Sequence, residues 1–197
     1  MSEGPRLPYA EALALAQRVV AILAPAGERA EIAGSLRRGC ATIGDIDLVA
    51  IVSERGWRPV FGSKRCLVLG SAALGHACDA LIAQGGNILH TGPKSIGLEI
   101  EGCRVDVWLA NKQNYGCKLA IRTGALDFSK WLVTHKPAGA CPRALIFDDG
   151  SLWRGDHAIG GTVTLIPTPE EADLFAALGL AWIPPEERSA GRWGTRR

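Results

Sequence analysis

The sequence lacks the features that mark membrane and secreted proteins. No apolar run approaches the ~18–20 residues that a membrane-spanning helix needs, and the stretch 67–77 is too short and contains Gly70 and Gly75. The N-terminus lacks the basic start and apolar core of a signal peptide. We therefore expect neither a membrane protein nor a secreted one.

Cysteine pairs at short spacing are also absent. Six cysteines are spread over 197 residues without any C-x-x-C pair, which argues against a zinc ribbon or a redox pair. Free cysteine behaves as a small apolar side chain in a reducing compartment. We expect reduced, mostly buried thiols in a cytoplasmic protein. This expectation covers both a nucleoid-associated protein and a virus-encoded one.

Excess charge of either sign is small. The net charge is +2, but residues 61–140 carry nine Lys or Arg against five Asp or Glu. A basic middle third fits a polyanionic partner, although solvated surface charge gives the same count. Charge alone therefore identifies no partner.

The hydrophobic pattern predicts an α+β fold. Residues 9–24 place Leu13, Ala16, Val20 and Leu23 on one helical face, and Ile and Val are frequent in a strand over 44–53. Helices are expected to pack on a small, mostly antiparallel sheet. Further predicted elements are a helix over 71–84, a hairpin over 96–101 and 104–110, a helical region over 112–136 broken at Thr123-Gly124, a hairpin over 143–153, and a helix over 169–178 with Thr168 as its N-cap.

The segment 34–47, GSLRRGCATIGDID, carries the clearest chemical signal. Gly34-Ser35 would open a helical turn, whose free N–H groups and positive dipole end suit a phosphate. Arg37 and Arg38 add planar, charged donors that pair well with phosphate oxygens. This part of the chain is therefore a candidate phosphate site.

Carboxylates follow directly on a predicted strand. Asp45 and Asp47 are two residues apart, so both side chains project from one face. Adjacent carboxylates repel unless a cation lies between them, and Mg²⁺ prefers such oxygen ligands. Asp106 would complete a two-metal site if the strand 104–110 pairs beside the strand 44–53, and the two ions would then hold the attacking and leaving oxygens of an in-line displacement.

The D-x-D pair has an alternative interpretation. Two aspartates on a strand edge are often solvated surface charge with no ligand. The G-S-x-R-R-G sequence ten residues earlier makes that interpretation weaker, because separate features then converge on one polyphosphate site.

These motifs resemble a known family. GSLRRG-x5-DID is similar to the signature of the polymerase-beta-like nucleotidyltransferases, and RVDVWLA over 104–110 resembles the strand of their third aspartate. Thr123-Gly124 with Phe128 and the closing segment 181–188 resemble the narrower family X of DNA polymerases. Arg6-Leu7-Pro8 is similar to the Arg-Ile-Pro that precedes the family's palm.

The resemblance implies a fold, a reaction and roles for residues. It implies a palm over 1–110 and a C-terminal nucleotide- and template-binding subdomain over 111–197. Asp45, Asp47 and Asp106 would hold two Mg²⁺ or Mn²⁺ ions, and Asp106 would help to activate the primer 3′-hydroxyl. The further roles it implies are nucleotide binding by Gly34, Ser35, Arg38, Gly44, Arg6, Thr123, Gly124 and Ser129, and DNA binding by Lys94, Arg104, Arg122 and Lys130.

The sequence also departs from the family's pattern. Ile121-Arg122 stands where the family has an aromatic pair, so sugar discrimination is in doubt and Arg122 could meet a phosphate instead. Ser129 and Val133 stand where the family has an asparagine and an arginine, which implies modest fidelity unless a neighbour substitutes. The chain starts at the palm like reduced, viral-type members, so we expect no lyase activity and a weak, salt-dependent grip on DNA.

Three functions compete at this point. The first is a monomeric gap-filling DNA polymerase acting with dNTP on a DNA primer–template or gapped DNA, with a ligase or a DNA-binding protein as partner. The second is a template-independent transferase, or one that places a nucleotide on a small molecule, RNA or protein. The third is a non-enzymatic DNA-binding remnant, which has no chemical reason to keep three aspartates. The four histidines are interpreted as structural or surface residues, and Trp108 and Trp131 as core residues or base-stacking platforms.

Overall fold

A computed structural model describes residues 6–52, 72–92, 94–155, 163–189 and Trp193. The chain forms two compact units, Met1–Asn111 and Lys112–Arg197. Both units contain helices and sheet, which confirms the α+β fold class.

The first unit is built on a five-stranded mixed sheet. Its strands are arranged in the order β2-β4-β7-β6-β5, and only β4 and β7 run parallel. A separate two-stranded ladder joins β1 to β3. The strands are β1 (Leu7–Pro8), β2 (Gly27–Ile32), β3 (Thr42–Ile43), β4 (Asp45–Val52), β5 (Asn87–Thr91), β6 (Ser95–Ile100) and β7 (Cys103–Ala110).

One face of this sheet packs on helices. Alternate residues of the central strands, such as Ile46, Leu48, Val105 and Val107, are almost fully buried in the hydrophobic core. Since strand side chains alternate between faces, the residues between them project from the opposite face. The helices of this unit are α1 (Tyr9–Leu23), α2 (Gly34–Arg37) and α3 (Ala72–Ala83), with a 3₁₀ turn over Ala24–Ala26.

Helix α1 corrects one expectation from the sequence. The 18 residues Tyr9–Ala26 have a mean hydropathy of 1.2 and so meet the length and apolarity of a membrane span. The helix instead buries one stripe that includes Leu15, Val19 and Leu23 in the core of the first unit. Core packing therefore accounts for part of this apolarity, since 33% of the 18-residue window is buried.

The second unit combines helices with a three-stranded antiparallel sheet in the order β10-β9-β8. Its core includes Phe128, Leu132, Leu174 and Phe175. The elements are α4 (Tyr115–Thr123), α5 (Leu126–Val133), β8 (Leu145–Asp148), β9 (Ser151–Arg154), β10 (Thr164–Ile166), α6 (Glu171–Leu178) and a 3₁₀ helix over Pro185–Ser189.

Both predicted hairpins are confirmed. β6 and β7 turn at Glu101-Gly102, and β8 and β9 turn at Asp149-Gly150. All four of these residues have positive φ, the backbone conformation that tight hairpin turns require. The predicted break in the helical region after Thr123 is also present, between α4 and α5.

The N-cap prediction at Thr168 is wrong. Helix α6 starts at Glu171, and Glu170 is its N-cap, in a capping box with Asp173. Thr168 is fully buried, and its backbone N–H donates to Gln113 O at 2.7 Å. The general preference for Ser or Thr at the N-cap indicated Thr168. The helix is capped two residues further along the chain, where the carboxylates of Glu170 and Asp173 accept from the free backbone N–H groups.

Thiol burial follows the expectation. Cys40, Cys78, Cys103, Cys117 and Cys141 are free, and all except Cys40 are buried. Burial, reinforced by Asp79, raises the pKa of Cys78 to about 11, and burial raises the pKa of Cys117 to about 12. These thiols therefore stay protonated at neutral pH. Cys66 lies outside the described residues.

Candidate active site

The three aspartates lie on one face of the five-stranded sheet. β4 and β7 pair in parallel, with Asp45 opposite Arg104 and Asp47 opposite Asp106. Residues opposite each other share a face, as do residues two apart. Asp45, Asp47 and Asp106 therefore project together from the face opposite the helices α1 and α3, on the neighbouring strands that the sequence reasoning required.

Protein donors hold two of these carboxylates. Arg104 donates from Nε to Asp106 Oδ2 at 2.8 Å and from Nη2 to Asp106 Oδ1 at 3.2 Å. Trp108 Nε1 donates to Asp47 Oδ1 at 2.9 Å. The hydrogen bond and charge of Asp106, with the charges of Asp45 and Asp47, raise the pKa of Arg104 against a smaller desolvation effect. The cluster is thus an acidic surface whose charge the Arg104 guanidinium partly balances.

The chemistry of this cluster fits a divalent cation, but its present geometry is not that of a bound ion. Three carboxylates offer the hard oxygen ligands that Mg²⁺ prefers. Within the described ranges, no group of three or more His, Cys, Asp or Glu side chains converges closely enough to hold a metal. Arg104 donates to both oxygens of Asp106, and each carboxylate oxygen keeps a second lone pair that can accept from or bind another group.

Gly34 is placed where a side chain would block this cluster. It opens α2 with a φ of +61°, and a Cβ on it would overlap Asp47 Oδ2. The Ala33 N–H donates to the backbone oxygen of Asp47 at 2.8 Å, which ties the turn to β4. The phosphate-type turn and the aspartates are therefore in direct contact.

Ser35 follows at the first turn of α2. Its Oγ is buried and has no hydrogen-bond partner within the part of the chain that the structure describes. A buried hydroxyl without a partner costs about 1–3 kcal/mol, so an incoming acceptor oxygen would relieve that cost. Arg37 ends the same turn and Arg38 caps it, both half-buried.

We predict that Gly34→Ala lowers at least about tenfold the nucleotide-transfer activity that the family resemblance implies. The added methyl would displace the Asp47 carboxylate, and alanine at positive φ adds about 1 kcal/mol of backbone strain. Steady-state incorporation kinetics on the purified variant measure the loss. Gly102→Ala is the matched control, because Gly102 also has positive φ but a Cβ there meets nothing within 4 Å; equal activity losses in the two variants would contradict the contact.

Arg6 borders the cluster on another side. It donates from Nε to Thr42 Oγ1 at 3.2 Å and from Nη2 to Thr42 O at 3.0 Å. A Cβ on Gly44 would lie 3.5 Å from Arg6 Nη1. The guanidinium therefore lies beside the residue that precedes Asp45, where it could meet a phosphate.

Lys94 lies at the start of β6. Its backbone oxygen accepts from the Leu109 N–H at 2.9 Å, which fixes it at the end of the β6–β7 ladder. The residue is exposed. The preceding Pro93, part of the same sequence motif, lies outside the described residues.

The other candidate residues belong to the second unit. Thr123 is fully buried and ends α4. A Cβ on Gly124 would overlap the Phe128 ring and lie 2.8 Å from Ser129 Oγ. Ser129 Oγ donates to Ile121 O at 2.7 Å, so its hydroxyl is engaged within this unit.

Two cations of the second unit remain at its surface. Arg122 is half-buried near the end of α4, and Lys130 is exposed near the end of α5. Their roles as DNA-binding residues stay predictions.

Sequence reasoning did not assign Trp108 to Asp47. The signal was available, since Trp108 is two residues after Asp106 on the same strand and therefore on the same face. Register made the contact possible: Trp108 lies opposite Val49, two residues from Asp47 on β4. The Trp108 indole N–H therefore donates to Asp47, a carboxylate for which the sequence indicated only a cation as partner.

Comparisons with known proteins give two matches. A family model of the DNA polymerase beta thumb matches residues 120–189. DNA polymerase lambda from Rattus norvegicus is 28% identical over 204 residues, a match that covers 93% of this chain. The chain spans about a third of the length of that relative, since the match covers 33% of it.

Proposed function

We propose, from the premise that this chain is a family X polymerase-like protein, that it is a nucleotidyltransferase acting as a DNA-directed DNA polymerase of the gap-filling type. It would join a deoxynucleotide from dNTP to a primer 3′-hydroxyl and release pyrophosphate. Gapped DNA or a primer–template and dNTP are then its substrates.

One observation carries the proposal. Asp47 and Asp106 are opposite each other on parallel strands, and Gly34 of the phosphate-type turn contacts Asp47. A triphosphate bound at Ser35 would therefore have its reacting phosphate next to the carboxylates.

The chain's own residues have distinct tasks in this reaction. Ser35 donates its unpartnered hydroxyl to a phosphate oxygen, and Arg38 and Arg6 add positive charge on the triphosphate side. Asp45, Asp47 and Asp106 would hold two divalent ions, which when bound stabilise the attacking and leaving oxygens of the displacement. Asp106 accepts the proton of the 3′-hydroxyl, directly or through water.

Arg104 has a preparatory role in the same proposal. It keeps Asp106 oriented toward the site face while no substrate is bound, because both carboxylate oxygens accept from it. More than half of its side-chain surface is exposed, so it can swing to a phosphate of the primer strand without breaking core packing. Asp106 is then released for the reaction.

A second candidate is a transferase that modifies another acceptor. The turn and the aspartates of the first unit would serve any nucleoside triphosphate, with DNA, RNA, a small molecule or a protein as acceptor. The match of residues 120–189 to a polymerase thumb favours DNA as the acceptor.

Primer extension tests the choice of acceptor. Purified protein would be given Mg²⁺ or Mn²⁺, labelled dNTP or rNTP, and either single-nucleotide-gapped DNA, an open primer–template or single-stranded primer. We expect addition of a templated deoxynucleotide with gapped DNA as the best substrate.

Two results would contradict the polymerase proposal. One is equal addition to single-stranded primer without regard to template, which indicates a template-independent transferase. The other is label transfer to protein, RNA or a small molecule with no incorporation into DNA. Asp79→Asn is the control for preparation quality, because Asp79 is an exposed carboxylate on α3, which packs in the core on the opposite face of the sheet.

A further inference from the structure

His90 lies in one row with the candidate active-site carboxylates. On neighbouring strands, His90 is opposite Gly97, Gly97 is opposite Asp106, and Asp106 is opposite Asp47. Residues in register share a face, so this row crosses four strands on the site face. Nothing in the sequence distinguished His90 from the other histidines.

A β-bulge puts His90 on that face. Ile88 pairs with Leu98 and His90 pairs with Gly97, so Leu89 is an extra residue in the edge strand β5. If the ladder continued from Ile88 without a bulge, Leu89 would pair with Gly97 and His90 would lie opposite Ile96, whose side chain is buried in the core. The bulge thus turns an imidazole from the core face to the site face, the kind of re-aiming for which bulges occur beside active sites.

Gly97 makes room for the ring. A Cβ there would overlap both Cε1 and Nδ1 of His90, and it would lie 3.1 Å from Asp106 Oδ1. The backbone of Gly97 does not need glycine, since its φ is not among the positive values. The absence of a side chain therefore serves one visible purpose, which is to let the imidazole lie over the strand next to Asp106.

The ring is held by a hydrogen bond to the neighbouring strand. His90 Nε2 hydrogen-bonds Ser95 Oγ at 3.1 Å, in either donor direction according to the tautomer. Cε1 and Nδ1 are the ring atoms that lie over Gly97, at the position that Asp106 Oδ1 also borders. His90 is exposed, so a large ligand can reach the side chain.

The in-line geometry of the displacement indicates which of the two substrates lies near His90. An in-line displacement puts the attacking oxygen and the leaving pyrophosphate on opposite sides of the reacting phosphate. In the proposed function, which this inference rests on, the pyrophosphate side is at Ser35 and Gly34, next to β4. The acceptor must then approach over β7, β6 and β5, where His90 lies.

We propose that His90 is a positioning residue for the acceptor: it hydrogen-bonds the sugar or phosphate of the primer's 3′-terminal nucleotide and holds the 3′-hydroxyl at Asp106. Ser95 orients the ring, and Gly97 provides the space. With Lys94 at the start of β6, His90 forms the acceptor side of the site, apart from the triphosphate side at α2.

Binding and kinetics on gapped DNA test this assignment. We expect His90→Ala to raise KM for gapped DNA about 3- to 10-fold, the effect of one lost hydrogen bond, with KM for dNTP unchanged. Anisotropy of labelled gapped DNA, measured without dNTP, should give the same rise in Kd. His90→Gln, which keeps a donor and an acceptor, should recover part of the loss, and the thermal midpoint should match the wild type in each variant.

Gly97→Ala supplies a second, independent perturbation. The methyl group would push the imidazole aside, so its effect on KM for DNA should resemble that of His90→Ala. The effects should add only in part in the double variant, because the ring that the added methyl displaces is already gone while the methyl still lies 3.1 Å from Asp106 Oδ1. His76→Ala is the matched control, an exposed histidine on α3, and should leave every value unchanged.

Several results would overturn the inference. These are an unchanged KM and Kd for DNA in His90→Ala, a rise in KM for dNTP alone, and full additivity of the two substitutions. A wild-type protein that adds no nucleotide to gapped DNA would overturn the proposed function first and this inference with it. The failure of His90 alone is distinct, because there the wild type is active and the variant matches it.

Discussion

Asp106→Asn is expected to lower nucleotide incorporation about a thousandfold or more, because the variant loses a ligand oxygen charge and a proton acceptor at once. The amide keeps the shape of the carboxylate, and the partner that it would lose, Arg104, is more than half exposed. The fold should therefore persist. Single-turnover incorporation on gapped DNA, at saturating dNTP and with Mg²⁺ or Mn²⁺, measures the effect.

The matched control for this experiment is Asp79→Asn, which removes an exposed carboxylate from α3 and should retain the wild-type rate. Far-UV circular dichroism should show the same helix and strand content in all three proteins. An Asp106→Asn protein that is folded and keeps a tenth or more of the activity would refute the assignment of Asp106 to the chemistry.

Arg188→Met is expected to destabilise the second unit by about 3–5 kcal/mol, the usual cost of leaving a buried charge without its partner. Arg188 is fully buried and donates to Glu171 from Nη1 at 2.6 Å and from Nη2 at 3.2 Å. Its Nε also donates to Ile183 O at 2.9 Å, and the guanidinium carbon lies 5.3 Å from the centre of the Phe175 ring. One arginine thus links α6 to the closing segment.

Equilibrium unfolding in urea measures this loss, followed by tryptophan fluorescence and by hydrogen exchange of the α6 amides. The double variant Arg188→Met with Glu171→Leu is the informative control. It removes both charges, so it should recover a large part of the lost stability, as apolar replacements of buried ion pairs often do. A loss below about 1 kcal/mol in the single variant, or no recovery in the double variant, would contradict this account.

These two expectations show that the sequence predicted the important residues of the first unit better than those of the second. In the first unit, spacing alone indicated that Asp45 and Asp47 share a face, and Asp106 was the candidate third carboxylate on the condition that its strand pairs beside theirs. In the second unit, Arg188 was only part of a matching end segment. Its burial and its pairing with Glu171, 17 residues away, depend on how α6 and the 3₁₀ helix pack.

Local patterns predicted the elements that carry strong local signals. The two hairpins, the turn at Asp149-Gly150, helix α1 and the break after Thr123 were all expected from residue type and period. The first hairpin turns at Glu101-Gly102, one residue before the Gly102-Cys103 that the sequence indicated. The short strands β1, β3 and β10 and the edge strands β2 and β5 were missed, because they are short or have weak alternation of their own. The capping box at Glu170 was missed because it competed with a stronger cap residue, Thr168.

The sequence by itself determined the chemistry available to this protein: a glycine-serine turn, arginines and three aspartates at spacings that suit a nucleotide and divalent cations. Only the tertiary structure decided the partners. Strand register put Trp108 on Asp47 and a bulged His90 over Gly97, and side-chain conformation paired Arg104 with Asp106, two residues along the same strand. The physical reason is that spacing along a strand fixes which face a side chain takes, whereas contacts across strands depend on register, which non-local hydrogen bonds and core packing set.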